Sequence, residues 1–187
     1  VRLEEGPVLA TTLQQAEALD ARLVVLGARG AGHLRRLTLG TTAERLMRHS
    51  SRPILVARGA PHEPYRRVLV AADFSPWSAA ALDIARWVAP DARLVLASVV
   101  QVPFESRMRL AGVSDADIGR YRERARSEAT GRLQALADAA QLPAGQWQPV
   151  VGEGDPAYAL LEMEQEHDCD LVVLGKHGSG QAVDFLL

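Results

Sequence analysis

The residues whose type and spacing best suit chemistry in this 187-residue chain are glycines. In the stretch "LGARGAGHLRRLTLGTT", Gly27 and Gly30 stand two residues apart, and Gly40 follows nine residues later, leading into Thr41 and Thr42. Glycine has no Cβ, so the backbone there can approach a ligand closely or take positive φ in a turn. A helix starting near Gly40-Thr41-Thr42 offers free N–H groups and the positive end of its dipole, a place that favours phosphate. The Thr41 hydroxyl adds a hydrogen bond to a phosphate oxygen or a bound metal. Together these residues describe a cradle, with Ala28 and Arg29 between its first two glycines. A plainer reading fits each glycine singly: a strand exit, a turn, and a helix capped by Thr41.

The opening of this pattern recurs near the C-terminus in "LGKHGSGQAVDFLL", where Gly175 and Gly178 enclose Lys176 and His177. Sliding the chain by 148 residues aligns 1–39 with 149–187 without gaps, and 12 of the 39 pairs are identical. The run Leu23–Gly27 repeats unchanged as Leu171–Gly175. A period that long signals a duplicated domain rather than a solenoid. The third glycine of the second copy would fall one residue past Leu187. The expectation is a tandem protein lacking the first part of domain one and the last part of domain two. Its pieces are residues 1–58, a linker at 59–65, and 66–187, the last without its final helix and strand.

Strands must deliver these glycines to one edge. Short aliphatic and β-branched runs predict strands at Leu23–Leu26, Pro53–Ala57, Arg67–Ala72, Arg93–Val99, Gln148–Val151 and Leu171–Leu174. Helical patterns occupy Val8–Ala18, Thr41–His49, Pro76–Ala89, Asp115–Ala140 and Ala157–His167, with Ser114 or Asp115 able to cap the fourth. Helix between nearly every strand pair argues a parallel α/β sheet with right-handed crossovers. In such sheets ligands bind beyond the carboxyl ends of the strands, where the strand order reverses.

Composition narrows the function classes. An apolar fraction of 48%, a charged fraction of 24% and a net charge of −2 are those of a globular protein with no electrostatic case for nucleic acid as its main partner. No apolar run approaches the roughly 20 residues of a membrane span, and the single cysteine excludes an intrachain disulfide. A cytoplasmic setting is the expectation. No G-x-x-x-x-G-K-[ST] occurs, which removes the P-loop. Gly30-Ala-Gly32, Gly152-Glu-Gly154 and Gly178-Ser-Gly180 each lack the third glycine of a dinucleotide fingerprint.

The arrangement strand, G-x2-G-x9-G-[ST], helix, strand, ending in "RPILVAR", resembles the ATP-binding branch of the universal stress protein family. So does "RRVLVAADFSPWSAAALDIARWVA", with its hydrophobic-V-x-x-D-x-S pattern. The resemblance covers essentially the whole chain. It implies two flavodoxin-like (Rossmann-like) α/β domains, each an open parallel five-stranded sheet of order 3-2-1-4-5. It also implies an ATP site, served by Mg or Mn, in the second domain. There Asp73 and Val99 would hold the adenosine, a Val99 backbone contact reading the adenine edge. Gly175, Lys176, His177 and Gly178 would line ribose and phosphates. In the first domain the matching residues are Gly27, Ala28, Arg29, Gly30, Gly40, Thr41 and Thr42. Ala71 departs from a proline often found in the family.

The function so implied is nucleotide-dependent regulation in a stress response, by binding rather than turnover. Alternatives of the same fold are an ATP-independent interaction module and a weak ATPase or autophosphorylating protein. A related adenine-nucleotide hydrolase would need a glycine- and serine-rich loop where this chain has "AADFSPWS". The strand at Pro53–Val56 resembles the one that pairs domains or subunits, so a homodimer or an intramolecular domain pair is expected.

The remaining residues read more plainly. Ser75 is expected to N-cap the helix at Pro76, with proline at its first position. Arg35 and Arg36 fit a solvated surface, and His33, His49, His62 and His167 lack metal-ligand spacing. Cys169 fits inert packing before a buried strand. Trp77, Trp87 and Trp147 show no base-stacking pattern.

Overall fold

Val68, Leu69 and Val70 are each completely shielded from solvent, which a strand achieves only with packing layers on both faces. A computed structural model describes residues 3–27, 41–57, 59, 63–101 and 105–175. It forms two compact units, Val1–Glu63 and Pro64–Leu186. In the first unit, helix α1 (Val8–Ala18) precedes strand β1 (Val24–Gly27), then helix α2 (Thr41–His49) and strand β2 (Ile54–Ala57). In the second unit the order is β3 (Arg67–Ala71), α3 (Pro76–Val88), β4 (Arg93–Val100), α4 (Glu105–Leu110), α5 (Asp115–Ala139), β5 (Trp147–Glu153), α6 (Pro156–Glu166) and β6 (Leu171–Val173). These bounds follow the expected elements closely; α4 is the addition.

The four strands of the second unit are all parallel, in the order β5-β4-β3-β6. Alternation along the strands divides the core. Val68, Val70, Leu94 and Leu96 meet Ala81, Leu82 and Ala85 of α3 and Ala129, Leu133 and Ala137 of α5 on one face. Leu69, Val95 and Ala97 meet Ala159, Leu160 and Met163 of α6 on the other. Counted from β3, this order is 3-2-1-4. The first unit contributes a parallel pair, β1 with β2, joined through α2. The described residues thus hold parallel sheets of four and two strands, as expected of a five-stranded order without the final strand of the second domain and the earlier strands of the first.

Local chemistry sets the helix starts. The Ser114 hydroxyl accepts from the Asp117 N–H at 3.1 Å to cap α5. Asp155 accepts from the N–H groups of Ala157 and Tyr158 at 3.0 and 3.2 Å to cap α6. Proline in the first turn of α6 costs nothing, because its missing N–H would be unpaired there anyway.

The 148-residue spacing is also present in the backbone. Helices α1 and α6 start and stop 148 residues apart. Each is followed by an aspartate in the left-handed region, Asp20 and Asp168, both at φ 46°. The hydrogen bonds that close the two helices match: Leu19 to Gln15 and His167 to Met163, then Ala21 to Ala16 and Cys169 to Glu164.

At the amino end of the sheet, the Asp170 carboxylate accepts from the N–H groups of Arg66 and Arg67 at 2.7 and 3.1 Å. The Asp170 N–H donates back to the Arg67 carbonyl at 3.0 Å. This clip sets the β3–β6 register. Asp170→Ala removes two accepted bonds and should lower unfolding stability by about 1–3 kcal/mol in urea titrations, at roughly 0.5–1.5 kcal/mol per net bond. Asp170→Asn, which keeps an acceptor oxygen, should lose less.

Candidate functional site

The chain steps from β3 to β4 to β5 in one direction, then returns through α6 to the far side of β3. The strand order therefore reverses between β3 and β6, and in open α/β sheets such a reversal is where ligands bind, beyond the carboxyl ends of the strands. Asp73 lies two residues beyond β3, and Gly175 two residues beyond β6. Val99 is the penultimate residue of β4. Three of the residues singled out in the second unit thus come to one edge of one sheet.

Asp73 is held there by its own loop. Its Oδ1 accepts from the Ser75 N–H at 3.0 Å, the Ser75 hydroxyl at 2.6 Å and the Ser78 hydroxyl at 3.0 Å. The Asp73 N–H in turn donates to Ser78 Oγ at 3.2 Å. Ser75 occupies the N-cap position of α3, but its side chain makes no capping hydrogen bond. That corrects the expected side-chain cap: the Ser75 hydroxyl donates its proton to Asp73, and its oxygen accepts from no helix N–H. Its carbonyl serves the helix instead, accepting from the Ser78 N–H at 3.0 Å. Phe74, in the middle of this loop, has φ 62°, a left-handed conformation uncommon for an aromatic residue.

The direction of the Val99 backbone follows from the ladder. Odd-numbered residues of β4 face β3: the Arg93 N–H donates to Arg66, and the Ala97 carbonyl accepts from Ala72. Even-numbered residues face β5: the Leu94 N–H donates to Gln146, and the Val100 carbonyl accepts from Gly154. The β3 register ends at Ala71 opposite Ala97. The N–H and C=O of Val99 are therefore turned to the β3 side, beyond the last β3 residue in register. A donor beside an acceptor on an open strand edge suits the paired acceptor and donor of a heterocycle.

Gly175 has a packing reason to be glycine. A Cβ there would lie 2.8 Å from Trp77 Cβ and 3.6 Å from the Trp77 carbonyl group, in the first turn of α3. In the first unit, Gly27 closes β1 opposite Ala57. Thr41 and Thr42 are the first two residues of α2. Gly40, Ala28, Arg29 and Gly30 lie outside the described residues, as do Lys176, His177 and Gly178. Ser78, buried to 3% exposure, is the site residue that sequence reasoning missed. Its signal was the D-x-S-x-x-S spacing, which turns the second serine back onto the aspartate after one helical turn.

Cys169 is buried under α6, and desolvation, aided by the negative charges of Glu164 and Asp170, raises its thiol pKa to about 11. Among the described residues no group of three His, Cys, Asp or Glu could hold a metal ion. None of the described helices is long and apolar enough to cross a membrane.

The profile of the universal stress protein family matches residues 1–58 and 64–187. A universal stress protein from Mycolicibacterium smegmatis is 34% identical over 192 residues, covering 96% of this chain and 59% of that protein. The chain thus spans about three fifths of the length of this relative. Among solved structures, a universal stress protein from Archaeoglobus fulgidus superposes with TM-score 0.60 at 19% identity, over 95% of this chain and 57% of the other. A protein of unknown function from Pseudomonas aeruginosa gives TM-score 0.60 at 17% identity, over 95% and 61%. At such identities the two structures speak for the fold alone.

Two outcomes are expected from this geometry. Gly175→Ala should lower the melting temperature without any ligand present, since overpacking against Trp77 Cβ costs about 1–3 kcal/mol. Cys169 should resist iodoacetamide at pH 8 until urea unfolds the chain. A thiol pKa raised in the fold stabilises it below the unfolded value of 9.0, so stability should fall as pH climbs from 9.0 to about 11. A pH series of urea melts, with Cys169→Ala as control, reads this directly.

Proposed function

Because the chain belongs to the universal stress protein family, we propose that its second unit binds ATP at the carboxyl edge between β3 and β6 and acts as a nucleotide-dependent regulatory module of a stress response. The observation that carries the reading is the convergence of three features on that edge. They are the anchored Asp73 carboxylate, the outward backbone pair of Val99, and Gly175 at the exit of β6. Each suits one part of the ligand. The carboxylate accepts from ribose hydroxyls, and Val99 pairs with the adenine edge. Lys176, His177 and Gly178, which follow Gly175 in sequence, would line ribose and phosphates. Mg or Mn would arrive on the phosphates of the nucleotide.

The proposal extends to organisation. The two stretches matched by the family profile and the helix-for-helix correspondence at 148 residues support a tandem reading. On that reading the first unit carries the later elements of one domain and the second unit the earlier elements of another. The first unit would hold its own cradle in Gly27, Ala28, Arg29, Gly30, Gly40, Thr41 and Thr42. Pairing through β2, within a chain or between two, is the assembly proposed. Turnover of the nucleotide is not.

Isothermal titration of Mg-ATP into the whole chain tests the site. Asp73→Asn withdraws a charged acceptor, and such a bond is worth about 1.5–3 kcal/mol. At tenfold per roughly 1.4 kcal/mol, affinity should fall about tenfold to a hundredfold. Val99→Pro deletes an N–H that faces away from β5, so it removes no β4–β5 ladder bond. It should weaken ATP comparably, and the loss of Val99 packing against the core should show separately as a lower melting temperature. Absence of heat with folded, nucleotide-free wild-type protein would overturn the ATP reading, and undiminished binding in both variants would move the site elsewhere.

A further inference from the structure

We propose that Phe74 and Arg132 form a clamp that positions the Asp73 carboxylate for its ligand, an inference that rests on the ATP reading of this edge. The bond from the Ser75 N–H to Asp73 Oδ1 spans two residues, and Phe74 is the residue between them. The loop makes this bond with Phe74 held at a left-handed φ of 62°. Both Ser75 bonds to Asp73 Oδ1 are made in this conformation of Phe74, and a change of φ there would shift the Ser75 N–H and hydroxyl relative to the carboxylate. A phenylalanine does not adopt this conformation for its own sake, since a Cβ in the left-handed region crowds the carbonyl oxygen. Something must hold it.

Two contacts do so. The ring is half-buried, packed on the face of the core built by β3, β4, α3 and α5. From outside, the Arg132 guanidinium lies over the ring at 4.0 Å from its centroid, in cation–π geometry. Arg132 is presented by a rigid part of α5, next to Leu133, which is fully buried at 0% exposure. The ring is thus pressed between the core and a guanidinium, and the backbone at Phe74 stays turned. Asp73, one residue before, then has its Oδ1 fixed by Ser75 and Ser78. Arg132 and Phe74 are positioning residues: they act on the ligand through Asp73. A consequence is that α5, a helix of 25 residues, is mechanically linked to the site through one side chain.

The test pairs two readouts on wild-type protein and four variants. Amide hydrogen exchange at Ser75, followed by NMR, reports the loop itself; Mg-ATP titration reports the site. Arg132→Met keeps length and removes charge, and Phe74→Asn tolerates left-handed φ but removes the ring. Arg132→Met should speed Ser75 exchange and weaken ATP by roughly two- to fivefold, the size an exposed cation–π contact allows, and Phe74→Asn should do more. Arg132→Lys and Phe74→Tyr, which keep a cation over a ring, should stay near wild type in both. A merely structural role would instead shift the melting temperature and leave Ser75 exchange and the conservative rescue unmoved. Unchanged Ser75 exchange in Arg132→Met and Phe74→Asn overturns the clamp, and so does faster exchange with undiminished ATP affinity. If wild-type protein binds no ATP, the ATP reading fails on that result, and Ser75 exchange alone decides whether the clamp holds the loop.

Discussion

Strand β3 is hydrogen-bonded along both edges and covered on both faces, and the rest of the second unit depends on that enclosure. Its three central residues are fully buried, each worth roughly 1.5–3 kcal/mol in apolar transfer. Such a strand cannot simply end, because buried backbone groups left without partners are costly. The chain meets this at each end in a different way. At the amino end the Asp170 carboxylate takes the N–H groups of Arg66 and Arg67. At the carboxyl end the Ala72 N–H still reaches the Ala97 carbonyl, and the next N–H, that of Asp73, is taken by the Ser78 hydroxyl. The polar character of the candidate site follows from terminating a buried strand. A carboxylate and two hydroxyls supply the termination, and the carboxylate they hold is the group available to a ligand.

The architecture was legible in the sequence because its signals are local. Runs such as "RVLVA" and "RLVLASV" have no polar face, so they demand cover on both sides, and Ser114 and Pro76 mark helix starts by their own chemistry. What was not legible depends on contacts distant in sequence or on a choice between partners. Ser75 sits where a capping serine should, yet its hydroxyl donates to Asp73 and accepts from no helix N–H, an outcome that depends on the geometry of the loop. Asp170 reads as an ordinary residue before a strand, and its role requires Arg66 and Arg67, more than a hundred residues away. The left-handed Phe74 follows from no propensity, being held by the core and by Arg132. Helix α4 has six residues, too few for periodicity to announce it.

The two copies of "LVVLG" show how a repeated segment adapts to different neighbours. The aspartate after the preceding helix takes φ 46° in both units, so the backbone solution was retained. Its ionic partner was not. Asp20 meets Arg52, which leads into β2, at 2.9 Å, whereas Asp168 meets Arg67, which opens β3, at 2.8 Å. β2 and β3 flank the repeated strand in their respective sheets. All four side chains are substantially exposed, so neither pair adds much stability. The conserved element between the copies is the helix exit that feeds the strand, and the ionic contact is incidental to it.

Gly175 illustrates how a motif residue should be weighed. Its recurrence 148 residues after Gly27 suggests a shared demand at both positions. In the second unit a demand is already visible without any ligand, since a Cβ would strike Trp77 at the start of α3. The same closeness sets Gly175 beside the first turn of α3, at the edge where the strand order reverses. Packing and ligand approach are therefore one geometric requirement at this residue. A substitution at Gly175 that abolishes binding would follow from either. Asp73 and Val99 separate the two: the Asp73 carboxylate can lose its charge and keep an oxygen at Oδ1, and the Val99 N–H can be removed without touching the ladder to β5. The evidential value of a site residue lies in what can be changed there while the fold stays intact, and by that measure the aspartate and the strand edge outweigh the glycine.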